Sequence, residues 1–237
     1  MNTENPFSIE KIEIIRSSNR RSIGISVYPD CSVKVRAPKR IAQYRIDEIV
    51  KSRIGWINKK IEYFVQNPPK RTQEKQYLDG ESFYILGKEY KLRVIEAAKN
   101  KVEITDLEII VFKNGRSQVK NILTKWLLNK AKDVFDAGLK AQFAIFVEHY
   151  KYNFPPLTIR KMKSRWGSMS SRGKMTLNSG LIHAPIECIN YVIMHELCHL
   201  REQNHSYRFY KLQQQFTPNW KELKKELTTF SGEIKGL

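Results

Sequence analysis

Ile186-Glu187-Cys188-Ile189-Asn190-Tyr191-Val192-Ile193-Met194-His195-Glu196-Leu197-Cys198-His199 is the stretch on which the reading of this chain turns. Pro185 precedes it, and proline is well tolerated where a helix starts. Ile189 and the run from Tyr191 to Met194 are apolar with little interruption, which predicts a largely buried helix. On such a helix His195 and His199, four residues apart, share one face about one turn apart. Burial disfavours an imidazolium, so two buried histidines need a reason. A shared metal ion supplies one, and imidazole suits zinc at about 2.0–2.1 Å. Glu196 sits beside the first histidine, placed to take a proton from a zinc-activated water as general base.

A third ligand is expected downstream. His205 follows Asn204, a residue able to adopt the left-handed conformation that ends helices, so the chain could turn back there. Three histidines plus a water make an open, catalytic zinc site. The chain has 5 histidines in all, and three of them fall in this one window, which argues against a chance match. Glu222 and Glu226 lie further on as rival carboxylate ligands. Cys198 falls off the His195–His199 face and reads as a small buried apolar side chain, as does Cys188. His149 and His183 have no partner at ligand spacing and read as surface or helix-end residues.

Outward from this helix the pattern alternates between two periods. Ile12, Ile14, Ile23, Ile25, Val27, Val33 and Val35 recur with period two, with a turn at Pro29-Asp30. Ile46 to Phe64 has a helical period, stopped at Asn67-Pro68-Pro69. Four strand-like runs follow: Phe83–Leu86, Tyr90–Ile95, Val102–Ile104 and Ile109–Phe112. A long helix is expected from about Ser117 to Tyr150, with Gly138 as an interruption. Leu157–Ile159 and Met175–Leu177 read as strands, with a hairpin turn at Ser170-Ser171-Arg172-Gly173. A last helical stretch, Ser206 to Leu227, breaks near Thr217-Pro218. The expectation is an α+β chain with a β-rich N-terminal subdomain, residues 1–113. A mainly helical catalytic domain, residues 114–237, follows, with a small sheet beside the His195–His199 helix.

Composition narrows the function classes. The chain has 237 residues, 41% apolar and 11% aromatic, so a buried core is expected and wholesale disorder is excluded. No apolar run reaches the roughly 18 residues of a membrane span. Met1 to Pro6 has no signal-peptide pattern, and 3 cysteines make no disulfide scaffold, so the expected location is the cytoplasm. The net charge of +18 suits anionic partners, nucleotide or nucleic acid among them. Lys151, Arg160, Lys161, Lys163, Arg165, Arg172 and Lys174 come with no acidic residue between His149 and Ile186. Trp166, amid them, reads as a core tryptophan ahead of a stacking platform.

Residues 160–210 carry a family resemblance. They run Arg160-Lys161-Met162-Lys163-Ser164-Arg165-Trp166-Gly167-Ser168, then Leu177-Asn178, then Tyr191 to Leu200, then Asn204-His205-Ser206 and Phe209. This resembles the YgjP-like metallopeptidases, a zincin group similar to the SprT-like proteases. Val33 to Pro38, Trp56-Ile57 and Gly80-Glu81 through Leu86-Gly87-Lys88 extend the likeness over nearly the whole chain. Met169 stands where the family usually has a cysteine, and Tyr210 where a tryptophan is usual. Neither is an expected ligand.

The resemblance implies a zincin-type scaffold and a zinc-dependent hydrolase acting on a peptide or protein. Its developing oxyanion calls for a cationic or hydrogen-bonding side chain. Arg160, Lys163, Arg165 and Asn178 are the candidates. Two other readings use the same residues. One is a nucleoside triphosphate pyrophosphohydrolase, for instance UTP to UMP and pyrophosphate, with the basic segment binding phosphates. The other is a nucleic-acid-associated protease of SprT-like type, an analogy that a steep salt dependence of binding would support.

Overall fold

The computed structural model describes residues 12–28, 30–66 and 75–230. The expectations on Met1–Pro6, Pro29 and Asn67-Pro68-Pro69 lie outside the described residues. The chain is mixed α and β, as expected, and separates into two compact units, Met1–Arg71 and Thr72–Leu237.

The first unit holds β1 (Ile12–Ser17), β2 (Gly24–Val27), β3 (Val33–Pro38) and helix α1 (Gln43–Gln66). The sheet order is β1-β3-β2, with β1 parallel and β2 antiparallel to β3. Alternation along β3 puts Val33, Val35 and Ala37 on one face. Ile46, Val50, Ile57 and Ile61 of α1 cover that face and close a small core.

The second unit begins with β4 (Ser82–Ile85), β5 (Lys88–Glu96), β6 (Lys101–Ile104) and β7 (Glu108–Lys113), in the order β4-β5-β7-β6. Helix α2 (Val119–Val147) follows, then β8 (Leu157–Arg160), β9 (Gly167–Met169) and β10 (Met175–Asn178). These three form a second sheet, ordered β8-β10-β9. A 3-10 turn (Ser179–His183) leads to α3 (Ile186–Cys198), α4 (Tyr207–Phe216) and α5 (Trp220–Thr229).

The boundary expected at residue 113 therefore falls at 71–72 instead. The cause is the inner face of the four-stranded sheet. Phe83, Ile85, Leu92, Ile109 and Val111 need an apolar cover, and Leu123, Leu127 and Phe135 of α2 are in the same core. The β4–β5 turn also docks on this unit: Leu86 N–H donates to Ile182 at 2.9 Å and Gly87 N–H to His183 at 3.1 Å. Gly87 has φ +81°, and a Cβ there would stand 2.7 Å from Pro185 Cγ. Only glycine meets both conditions without strain.

Gly138 does not interrupt α2, which runs unbroken through it. It is a point of close approach, since a Cβ there would be 3.0 Å from Ile193 Cδ1 of α3. His183 is not a surface residue either. It does end the 3-10 turn, but it is buried, and its Nδ1 pairs with the Tyr84 carbonyl. No helix among the described residues is long and apolar enough to cross a membrane.

Candidate metal centre

Helix α3 is the centre of the second unit. Nine of its residues are buried, from Cys188 and Ile189 through Leu197 and Cys198. A helix apolar on nearly all sides must be surrounded, and the core on which it packs fixes its two histidines. His195 and His199 share one face, with ring centroids 5.0 Å apart. The helix ends at Cys198, and Leu200, Arg201 and Glu202 turn away through bonds to Leu197 and Cys198.

The reversal that returns His205 is not the one expected from the sequence. Asn204 is not left-handed. Instead Ser206 N–H bonds the Asn204 carbonyl at 2.7 Å, and Ser206 caps α4 by accepting from Phe209 N–H. A side-chain cap of this kind sets both the end of the loop and the start of the helix. His205 Nε2 then stands 2.9 Å from His195 Nε2. One ligand nitrogen from each of His195, His199 and His205 lies within 4.8 Å of the others. Glu222 and Glu226 are not in this cluster, and Glu226 instead lies against the Cys188 thiol at 3.6 Å.

The electrostatics suit a cation. Burial drives the His195 ring down to about 3, with His199 and His205 pushing the same way. His205 is also lowered, chiefly by burial. Both rings are therefore neutral near pH 7, with a lone pair to offer. His199 Nδ1 pairs with the Glu202 carbonyl at 3.0 Å, which leaves Nε2 as its ligand atom. Three imidazoles converging on one point fit a zinc-type ion.

Glu196 lies beside them and is buried, at 5% exposure. Its Oε2 has no hydrogen-bond partner. Burial pushes the carboxyl up to about 7, while the Met169 backbone N–H and Arg165 pull it down. The Gly167 backbone closes over this carboxylate. A cleft of about 630 Å³ opens onto Glu196 and the three histidines, lined further by Arg165, Trp166, Tyr191 and Leu227.

The four oxyanion candidates separate. Arg165 lines the cleft. Arg160 and Lys163 are exposed and are not among its lining residues. Asn178 is fully buried and has no group to spare. Its Nδ2 donates to Met162 O at 2.8 Å and Arg165 O at 2.9 Å, and its Oδ1 accepts from Gly180 and Met162 N–H. It braces the segment that presents Arg165. Trp166 is half-buried, packs against the core and also lines the cleft. Cys188 and Cys198 are buried, and burial raises both thiols to about 12, so they act as apolar filling.

Phe209 received no role from the sequence, yet it is the floor of the site. Fully buried, it lies 4.8, 4.6 and 4.7 Å from the ring centroids of His195, His199 and His205. Its spacing of four from His205, and of four again to Gln213, is the signal that could have found it.

The model of the YgjP-like metallopeptidase domain matches residues 21–230 of this chain. No curated protein matches it. Among solved structures, the metallopeptidase zymogen jannalysin of Methanocaldococcus jannaschii is 21% identical, with a TM-score of 0.32 over 41% of this chain and 87% of its own. That partial overlap adds no weight. With the family match spanning both units and the histidine cluster inside it, the chain belongs to the YgjP-like metallopeptidase family and is a metallohydrolase.

Proposed function

We propose that the protein is a zinc-dependent peptidase in which His195, His199 and His205 hold the ion and Glu196 is the general base. The observation that carries this reading is the buried Glu196 carboxylate, its Oε2 unpartnered, in the same cleft as the three histidines. When bound, zinc supplies Lewis acidity and brings the pKa of water to about 7. Glu196 Oε2 takes the proton of a water that attacks the scissile carbonyl carbon. The C–N bond then breaks, and the same proton passes to the departing nitrogen. Arg165, the cation at the cleft, faces the charge that builds on the carbonyl oxygen.

Strand β9 favours an extended peptide. Among the described residues it pairs only with β10. Trp166 O and Ser170 N–H point to the β10 side, bonding Asn178 and Lys174. Alternation then turns the backbone of Gly167 and Met169 away from β10, and both residues line the cleft. With Met169 N–H turned to Glu196, their carbonyls are what an added peptide strand would meet. Of the basic candidates, Arg165 alone lines the cleft, a thin provision for a triphosphate.

The test is a product profile by mass spectrometry. Zinc-loaded protein and Glu196→Gln are each given an unfolded protein together with nucleoside triphosphates. New peptides from the wild type alone are expected. Nucleoside monophosphate and pyrophosphate without peptides would overturn the peptidase reading.

A further inference from the structure

The cations of the chain are unevenly paired. Residues 151–230 carry 13 lysines and arginines against 5 acidic residues. Among the described residues, every Lys or Arg that forms an ion pair lies at or before Lys140. The cations after residue 150 form none. Like charges gathered without counter-charges oppose the compact state, and an anionic partner relieves them.

Their placement follows the cleft. Arg165 lines it, and Glu196, the proposed base, is the one acid in its wall. Past β9 that wall continues through Ser170 and Ser171 into the hairpin turn that carries Arg172. A Cβ on residue 173 would lie 3.8 Å from Leu200 Cδ2. Leu200 also lines the cleft, so the turn stands at its rim, with Arg172 exposed. A further cation comes from α5. Lys224 is one turn before Leu227, another lining residue, on the same side of that helix. Its Nζ lies 5.9 Å from the centroid of the Trp220 ring. Trp220 stacks on Tyr210 at 5.0 Å, and the Tyr210 ring is 6.2 Å from that of His205.

The spacing of these charges decides what they fit. Arg165 and Arg172 are separated by the whole of β9, and Lys224 belongs to another element. A compact polyanion such as a triphosphate calls for cations that converge on one point. Charges strung along a groove suit an extended chain instead. The wall between Arg165 and Arg172 then distinguishes one extended anion from another. It presents the carbonyls of Gly167 and Met169, which only accept hydrogen bonds. A peptide backbone has N–H groups to offer them, whereas a phosphodiester backbone brings further acceptors.

We infer that the cleft selects acidic peptides, extended segments whose Asp and Glu side chains meet Arg172 and Lys224 while the backbone lies along β9. The inference rests on the peptidase reading for cleavage, but not for binding.

Two peptides of one sequence test it, one with Asp and Glu and the other with Asn and Gln at the same positions. Binding is read by fluorescence anisotropy on zinc-loaded Glu196→Gln, and cleavage on zinc-loaded wild type. At low salt the acidic peptide should bind about tenfold more tightly, with kcat/KM raised by a similar factor. The preference should collapse near 1 M salt, where charges are screened beyond about 3 Å. Arg172→Gln and Lys224→Gln should each reduce it about two- to threefold, and Arg172→Lys should keep it. Arg93→Gln removes the same charge from β5, outside the cleft wall, and should leave the preference as in wild type. Equal affinity for the two peptides would overturn the inference, as would a preference that Arg93→Gln reduces as much as Arg172→Gln. Single-stranded DNA that binds more tightly than the acidic peptide and weakens in Arg172→Gln would overturn it too, assigning these cations to nucleic acid. Acidic preference in binding with neither peptide cut would uphold the inference and count against the peptidase reading.

Discussion

A Cβ on residue 167 would stand 2.7 Å from Glu196 Oε1 and 2.8 Å from its Cγ. The neighbour in the way is the proposed base itself, lodged between a strand and a buried helix. Gly167→Ala must therefore move the carboxylate or the strand. A displacement near 1 Å at a reacting group costs about 10²-fold in rate. Turnover in Gly167→Ala should fall by about that factor, while zinc content stays near one ion per chain. Zinc analysis beside a turnover assay checks this, and unchanged turnover would remove Glu196 from the chemistry.

The ionisation of Glu196 also sets a pH dependence for the metal-free protein. Its carboxyl rises from an ordinary 4.5 to about 7 in the folded state. Between those values the folded chain holds a proton that the unfolded chain has lost. Stability from this group is thus complete below about pH 4.5 and is lost as pH rises through 7. The shift corresponds to about 3 kcal/mol. Metal-free Glu196→Gln, which carries no charge to bury, should be more stable than wild type at pH 8 by about that amount, and the gap should close toward pH 5. Denaturant unfolding at both pH values measures it. A constant gap would mean that burial of charge is not the cause.

Asn178 separates a brace from an oxyanion donor. Its amide satisfies two carbonyls, one buried and one part-buried, and two N–H groups of the segment before β9 and the turn after β10. Asn178→Ala strands them, at about 1–3 kcal/mol for each one left unsatisfied. A loss of at least 2–4 kcal/mol is expected, seen as a lower unfolding midpoint. Reduced turnover at wild-type stability would return Asn178 to the list of oxyanion donors.

Phe209 holds the floor under three rings. Phe209→Ala removes a fully buried aromatic and should cost about 3–5 kcal/mol. Zinc affinity should fall as well, because His205 sits in a loop and loses the surface it rests on. Isothermal zinc titration on the folded fraction reads this directly.

Much of this was legible in the sequence, and the limits have physical causes. The His195–His199 pair, Glu196 and the break at Thr217-Pro218 could be found because helical periodicity and proline are local signals. The division of the chain could not. Phe83, Ile85 and Val111 look like any alternating strand, and only their packing against α2 assigns them to the second unit. Asn178 misled for a related reason. A strand-end asparagine near a basic segment suggests a donor into the cleft, whereas its bonds to residues 162, 165 and 180 depend on how the chain folds back. Gly138 read as a break because helix propensity is local, while the close approach of Ile193 is tertiary.

The most direct test of the central claim is peptide hydrolysis in heavy-oxygen water by zinc-loaded protein. Histidine ligation and a Glu196-assisted water attack together predict peptides with one heavy oxygen in each new carboxylate. Glu196→Gln, with zinc retained, and His199→Ala, with zinc lost, should form them at least about 10²-fold more slowly. Peptides formed at the wild-type rate by Glu196→Gln would contradict the account, as would label appearing in phosphate products while the peptide stays whole.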